Sequence, residues 1–155
     1  MEKRIRELFP EIEWIKDKGM QDKVVASYVD ALKTGGWEPD DMDKIPFTLL
    51  IPNCPFSYLD HVKGVTRIAK QSMDEFNAIY PVKDPKFMMD NDLLVAGALL
   101  HDVGKLVEYE KNAAGETVKS TMGKNLRHPF SGTVIALRNG CPDEIGHIIA
   151  NHAHE

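Results

Sequence analysis

Apolar residues recur along most of the chain at three- and four-residue steps, the spacing that gathers them on one face of an α-helix. Residues 1–35 read as short amphipathic helices. The last of these carries Val24, Val25, Tyr28, Val29 and Leu32 on one face and is stopped by Gly35-Gly36. Residues 36–56 break the rhythm. Pro39, Pro46, Pro52 and Pro55 exclude a long helix, and Phe47, Leu49, Leu50 and Ile51 predict buried loop or extended chain, a packed linker without a domain boundary. From Ser57 the pattern turns strongly helical. Ser57 is a good N-cap, Asp60 suits the first turn of the helix dipole, and Val62, Val65, Ala69, Met73 and Phe76 then repeat up to Pro81.

A second helix is predicted from caps at Asn91/Asp92 through Leu93–Leu100. It is apolar almost all round and so should be central and buried, with Gly104 placed to end it. Residues 105–123 alternate loosely around Asn112-Ala113-Ala114-Gly115, which predicts a small exposed hairpin or loop. A third helix opens at His128-Pro129 and closes at Asn139-Gly140. A fourth opens at Pro142-Asp143-Glu144 and carries Ile145, Ile148, Ile149 and His152. The fold class is therefore all-α with at most one small hairpin. Met73, Met88 and Met89 read as core filling, and Trp14 and Trp37 as packing anchors of the N-terminal part. Tyr58 either lines a pocket beside His61 or packs in the core.

Composition places this pattern in an ordinary globular domain. The chain has 155 residues, 43% apolar and 28% charged, which excludes a disordered or collagen-like chain and allows one core without covalent staples. Nineteen basic against 24 acidic residues leave a net charge of −5, which argues against wholesale binding to nucleic acid or an acidic membrane while allowing a local basic patch. No apolar run approaches the ~20 residues of a spanning helix and the N-terminus lacks a signal core, so a cytoplasmic protein with no membrane partner is expected. Cys54 and Cys141, far apart and without metal-knuckle spacing, read as part-buried thiols. Histidine changes the picture: all six (His61, His101, His128, His147, His152 and His154) follow residue 60.

The sharpest signal is His101-Asp102 at the end of the apolar helix, where a buried pair must be hydrogen-bonded or bind a cation. Alone it is compatible with a satisfied core pair. Its surroundings are more telling, because four consecutive helices each place one histidine near an end: His61, His101, His128 and His152. Such ends can converge in a helical bundle. An imidazole-rich site with one bridging carboxylate suits one or two divalent transition-metal ions (Mn, Fe, Co, Ni or Zn) better than Mg or Ca. His147 lies five residues before His152, about 140° around the helix, and is expected on the surface or supporting the ligands from outside.

Tyr58-Leu59-Asp60-His61, the stretch Ala98 to Lys105 (ALLHDVGK), His128-Pro129-Phe130-Ser131-Gly132 and Ile148-Ile149-Ala150-Asn151-His152 together resemble the HD superfamily of metal-dependent phosphohydrolases, over roughly residues 57–155. The resemblance implies an HD-domain helical bundle with a short insert over 57–155, and a helical N-terminal extension over 1–56 packed on it. It implies His61, His101 and Asp102 as the first three metal ligands, Asp102 bridging where two metals bind. His128 and His152 match the additional histidines of the binuclear branch, which includes cyclic-dinucleotide phosphodiesterases, exoribonucleases and di-iron oxygenases. Lys105 matches a lysine that contacts substrate phosphate or activates water, and Lys124 and Arg127 beside His128 are the next candidate phosphate contacts. The family's final Asp ligand comes from a later helix. The domain is thus expected to be truncated at its C-terminal end, or the site to be completed by water, by His154 or Glu155, or by a partner chain.

The implied reaction is hydrolysis of a nucleotide or phosphodiester by a metal-activated water. The polar insert between Lys105 and His128 and the leucine-rich helix before His101 are most like the exoribonuclease branch. Two rival readings keep the site: a di-iron oxygenase acting on a small polyol or phosphonate-derived substrate, and a non-catalytic HD sensing domain with a relic centre. Expected partners are a small phosphorylated substrate, a nucleotide or a short nucleic acid, with the oligomeric state open, a homodimer included.

Overall fold

The computed structural model describes residues 1–80, 84 and 87–153. The predicted helix end at Pro81 and the reserve ligands His154 and Glu155 lie outside these. Helix α1 (Glu2–Leu8) leads through a 3-10 turn (Pro10–Trp14) into α2 (Lys18–Gly35). The Asp17 side chain caps α2 by accepting the Met20 N–H, and Gly36 closes it at φ 73°, a left-handed conformation that glycine adopts without penalty. After a second 3-10 turn (Pro39–Asp43), α3 (Tyr58–Ile79) starts at a capping box in which Ser57 and Asp60 satisfy each other's backbone N–H.

Helix α4 (Asn91–Leu100) begins one residue earlier than its sequence suggests, because Asp90 is the cap and accepts from Asp92 and Leu93. The Asp92 carboxylate, not needed as a cap, accepts the backbone N–H groups of Lys16 and Asp17 and so ties α4 to the start of α2. A short α5 (Lys105–Glu108) runs directly into the antiparallel hairpin β1 (Tyr109–Lys111) and β2 (Thr117–Lys119), paired Tyr109 to Lys119. Helices α6 (Thr121–Asn125), α7 (His128–Arg138) and α8 (Asp143–Asn151) complete the all-α bundle.

The expectation of a buried central helix holds. Every residue of α4 from Val95 to Leu100 is buried, and the helix packs against α2, α3 and α8. Residues from the N-terminal part (Ile5, Phe9, Ile12, Tyr28 and Leu32) join Leu99, Leu100, Ile145 and Ile149 in one core. Each such side chain gains roughly 1.5–3 kcal/mol on full burial. Polar anchors fix the packing: the Tyr28 hydroxyl donates to the Leu99 carbonyl and the Trp37 indole N–H to that of Leu106. No helix among the described residues is long and apolar enough to cross a membrane.

Four local expectations are corrected. Leu49, Leu50 and Ile51 are exposed, Leu50 to 86%, because the loop rims two cavities and turns away from the core. Met73 is buried as expected, but Met88 (55% exposed) and Met89 sit outside the core before α4. Trp37 is a buried anchor whereas Trp14 is 39% exposed. Gly104 does not terminate a helix by left-handed geometry, since its φ of −64° and ψ of −20° are right-handed. Its hydrogen side chain serves close packing instead: a Cβ there would lie 2.1 Å from the His128 carbonyl oxygen.

Candidate metal centre

The ends of α3, α4, α7 and α8 meet at one point. His61 is in the first turn of α3, His101 and Asp102 follow the last turn of α4, His128 opens α7, and His152 caps the C-terminus of α8. The close approach of α7 to Gly104 is what brings His128 to Asp102. Asp102 is buried, and its two oxygens face different histidine pairs. Oδ2 lies 3.2 Å from His61 Nε2 and 3.4 Å from His101 Nε2. Oδ1 lies 3.2 Å from both His128 Nε2 and His152 Nε2. Within each pair the Nε2 atoms are 3.2 Å (His61–His101) and 3.1 Å (His128–His152) apart.

This donor set fits a pair of cations. Nδ1 of His101 points at the Ala98 carbonyl (2.7 Å), Nδ1 of His152 at the Ile149 carbonyl (2.7 Å), and Nδ1 of His128 at Glu108 Oε2 (2.8 Å). These acceptors require Nδ1–H, so each neutral ring turns an Nε2 lone pair toward the carboxylate. Lone pairs converging on a carboxylate repel unless a positive charge lies between them. Ligand bonds of ~2.1 Å meeting at roughly 100° would also place donor atoms about 3.2 Å apart, the observed spacing. Two triads, His61/His101/Asp102 and Asp102/His128/His152, could each hold an ion and share Asp102.

Where no ion is bound, a second proton on the imidazoles supplies the positive charge at the same place, as Nε2–H donated to Asp102. Burial pushes the Asp102 carboxyl up, but hydrogen bonds from His101, His152 and His61 outweigh it and hold the group well below the usual carboxylate range. Burial lowers His152, and its bonds to Asp102 and the Ile149 carbonyl more than reverse that. Lys105 is buried beside the centre, with Nζ 2.8 Å from Asp102 Oδ2 and 2.8 Å from the Phe47 carbonyl. A cavity of about 370 Å³ opens on the centre, and Lys105, Lys119 and Arg127 line it together with His61, Asp102, His128 and His152.

The structure thus gathers His61, His101, Asp102, Lys105, Arg127, His128 and His152. It does not bring in Lys124, which is exposed on α6 and absent from the cavity lining. His147 is exposed and Tyr58 fully buried. Three participants were not apparent from the sequence. Glu108 Oε2 accepts both the backbone N–H (2.6 Å) and Nδ1–H (2.8 Å) of His128, and these bonds overcome burial to keep its carboxyl low. Phe47 stacks on the His61 ring at 4.5 Å between centroids. Lys119 enters the cavity wall from β2. No local signal in the sequence marks Glu108, whose partner lies 20 residues away.

Comparison with known proteins agrees with this geometry. The HD domain family model matches residues 58–155. A dihydroneopterin 2′,3′-cyclic phosphate phosphodiesterase of Methanocaldococcus jannaschii is 30% identical over 94 residues, which cover 61% of this chain and 35% of that protein. The matched segment thus spans about a third of the relative's length. No solved structure matches.

Proposed function

From the premise that this chain belongs to the HD domain family, we propose that its histidine–aspartate centre hydrolyses a phosphodiester carried on a nucleotide-like substrate. The observation that carries the reading is Asp102, one buried carboxylate whose two oxygens are each addressed by a separate pair of imidazoles. In this reading His61, His101 and Asp102 would hold one divalent transition-metal ion, and Asp102, His128 and His152 the second. Bound there, such ions polarise phosphoryl oxygens and lower the pKa of a coordinated water toward ~7.

The remaining work falls to side chains. Lys105 pins Asp102 Oδ2 from the cavity floor and faces the phosphoryl group, where it neutralises charge or assists the attacking water. Arg127 and Lys119, both leaning on Glu108 at 3.3 and 3.6 Å, set positive charge at the cavity wall for the non-bridging oxygens. Phe47 covers one face of the His61 ring and fixes its plane. The volume of about 370 Å³ accepts one phosphoryl group and the first atoms of its ester arms. The relative's activity on a cyclic phosphate supports a compact diester as substrate.

The test is to load the protein with Mn(II) and assay phosphate-ester release from a panel of diesters and nucleotides beside Asp102→Ala. Turnover lost in the variant is expected, and equal turnover in the two overturns the assignment. Oxygen consumption by the iron-loaded protein without ester cleavage would replace hydrolysis by the oxygenase reading.

A further inference from the structure

A larger cavity lies beside the one at the metal centre, between residues 44–54 and the β1–β2 hairpin, with a volume of about 700 Å³. We propose that it is the subsite for the organic ester arm of the substrate, and that this arm is an uncharged, polar, nucleoside-sized ring system. The proposal rests on the phosphodiesterase reading and adds the place and the chemistry of the substrate's organic arm.

Contiguity is the first argument. Thr48 and Leu49 line both cavities, so a diester held at Asp102 has one ester arm directed across that ridge into the second space. The ridge is fixed, because the loop is pinned at its neck by Tyr58 N–H to the Ile45 carbonyl (2.7 Å) and Phe47 N–H to that of Phe56 (3.0 Å).

Charge is the second. Lys44 and Lys111 in the larger cavity are balanced by Asp41 and Glu116, and Lys111 is already committed to Asp41 (3.4 Å) and to the Trp37 ring (5.3 Å). No surplus of positive charge remains there for a second phosphate. In the smaller cavity Lys105, Lys119 and Arg127 stand against Asp102 and Glu108, which leaves one positive charge in excess before any metal ion adds its own, so the phosphoryl group and the uncharged arm are sorted between the two.

Surface chemistry is the third. Leu49 and Ile51 line the larger cavity and are 38% and 51% exposed, apolar surface at the mouth of a cleft that also presents polar groups at Asn53 and Thr117. A flat ring with polar edges covers the first and pairs with the second.

The experiment compares kcat/KM for adenosine 2′,3′-cyclic phosphate and for ethylene glycol cyclic phosphate, which has the same five-membered cyclic phosphodiester and no nucleoside. The Mn(II)-loaded wild type is expected to prefer the nucleoside ester by about tenfold or more, and Thr117→Trp, which fills the larger cavity, to reduce that preference by about tenfold. Turnover of both esters with no preference, or a preference that Thr117→Trp leaves unchanged or raises, overturns the subsite and leaves the hydrolase reading standing. Turnover of neither ester overturns the hydrolase reading and the subsite with it. A second measurement needs no variant. Cys54 lines the larger cavity, so adenosine monophosphate should slow its alkylation by about fivefold or more while inorganic phosphate does not. Equal slowing by both ligands, or by neither, overturns the proposal.

Discussion

Glu108→Gln separates the two halves of the centre. Glu108 is buried (3% exposed), and its Oε2 receives two N–H groups of His128, at 2.6 and 2.8 Å. A glutamine retains the shape and one acceptor oxygen but removes the charge. Hydrogen bonds to a charged partner contribute roughly 1.5–3 kcal/mol, neutral ones ~0.5–1.5, so the substitution removes about 1–1.5 kcal/mol of orientation and polarisation from His128. At 1.4 kcal/mol per decade, the ion held by Asp102 Oδ1, His128 and His152 should bind about tenfold more weakly. That is the lower end of the 10–100-fold range for groups supporting metal-bound histidines. The opposite half has no bond to Glu108 and should keep its affinity. Calorimetric titration of metal-free protein with Mn(II), backed by competition with a chromophoric chelator, would resolve one weakened and one unchanged site. Wild-type affinity at both sites, or equal weakening of both, refutes the reasoning. Glu108→Ala goes further: it strands two buried N–H groups at a cost of about 1–3 kcal/mol each and should lower the melting temperature of metal-free protein by clearly more than Glu108→Gln does.

Further expectations follow from other contacts. Gly104→Ala sets a Cβ 2.1 Å from the His128 carbonyl oxygen and 2.7 Å from Gly132 N, both backbone atoms, and should destabilise by about 3 kcal/mol or more in a urea titration. A loss under ~1 kcal/mol would mean that α7 is free to shift. Arg138 and Asn139 hydrogen-bond the Asp30 carboxylate and hold it below its ordinary value, so this stabilisation is present above the unfolded pKa of ~3.9 and is lost as pH falls through the lower folded value. Asp30→Asn should therefore cost ~0.5–1 kcal/mol at pH 7, and its deficit should shrink in acid; a deficit that grows on acidification contradicts the sign. Cys141 is buried beside Ser27, and burial pushes its thiol up, whereas Cys54 is partly exposed. One fast and one slow thiol in a timed reaction with a disulfide reagent is expected, and two fast thiols would refute the packing of α2 on Cys141.

Much of the bundle and its centre was legible in the sequence because the signals are local. Ser57 and Asp60 announce α3 by their own hydrogen bonds, the unbroken apolar run of α4 has nowhere to go but the core, and each histidine sits within a few residues of a helix end. What could not be read depends on contacts between distant segments. Glu108 meets His128 across 20 residues, and nothing in its neighbourhood distinguishes it from a solvent-facing acid. The apolar run Leu49–Ile51 looks like core material in one dimension, and only the placement of the hairpin opposite turns it into cavity rim. Gly104 resembles a helix stop, yet its small size answers the approach of α7, which its own flanking residues do not encode.

The arrangement of the imidazole pairs also has a bearing on folding. His61 and His101 are 40 residues apart, His128 and His152 are 24 apart, and Asp102 joins the two spans. An ion in each half would act as a reversible crosslink over most of the chain beyond α3's start, binding the native state and finding no preformed site in the denatured one. At a free concentration one hundred times the dissociation constant, each such ion adds about 2.7 kcal/mol to the unfolding free energy. A chelator should then do more than silence the centre: it should speed hydrogen exchange at the last turn of α8 and open the chain to proteases. Metal supply and the lifetime of the polypeptide would rise and fall together.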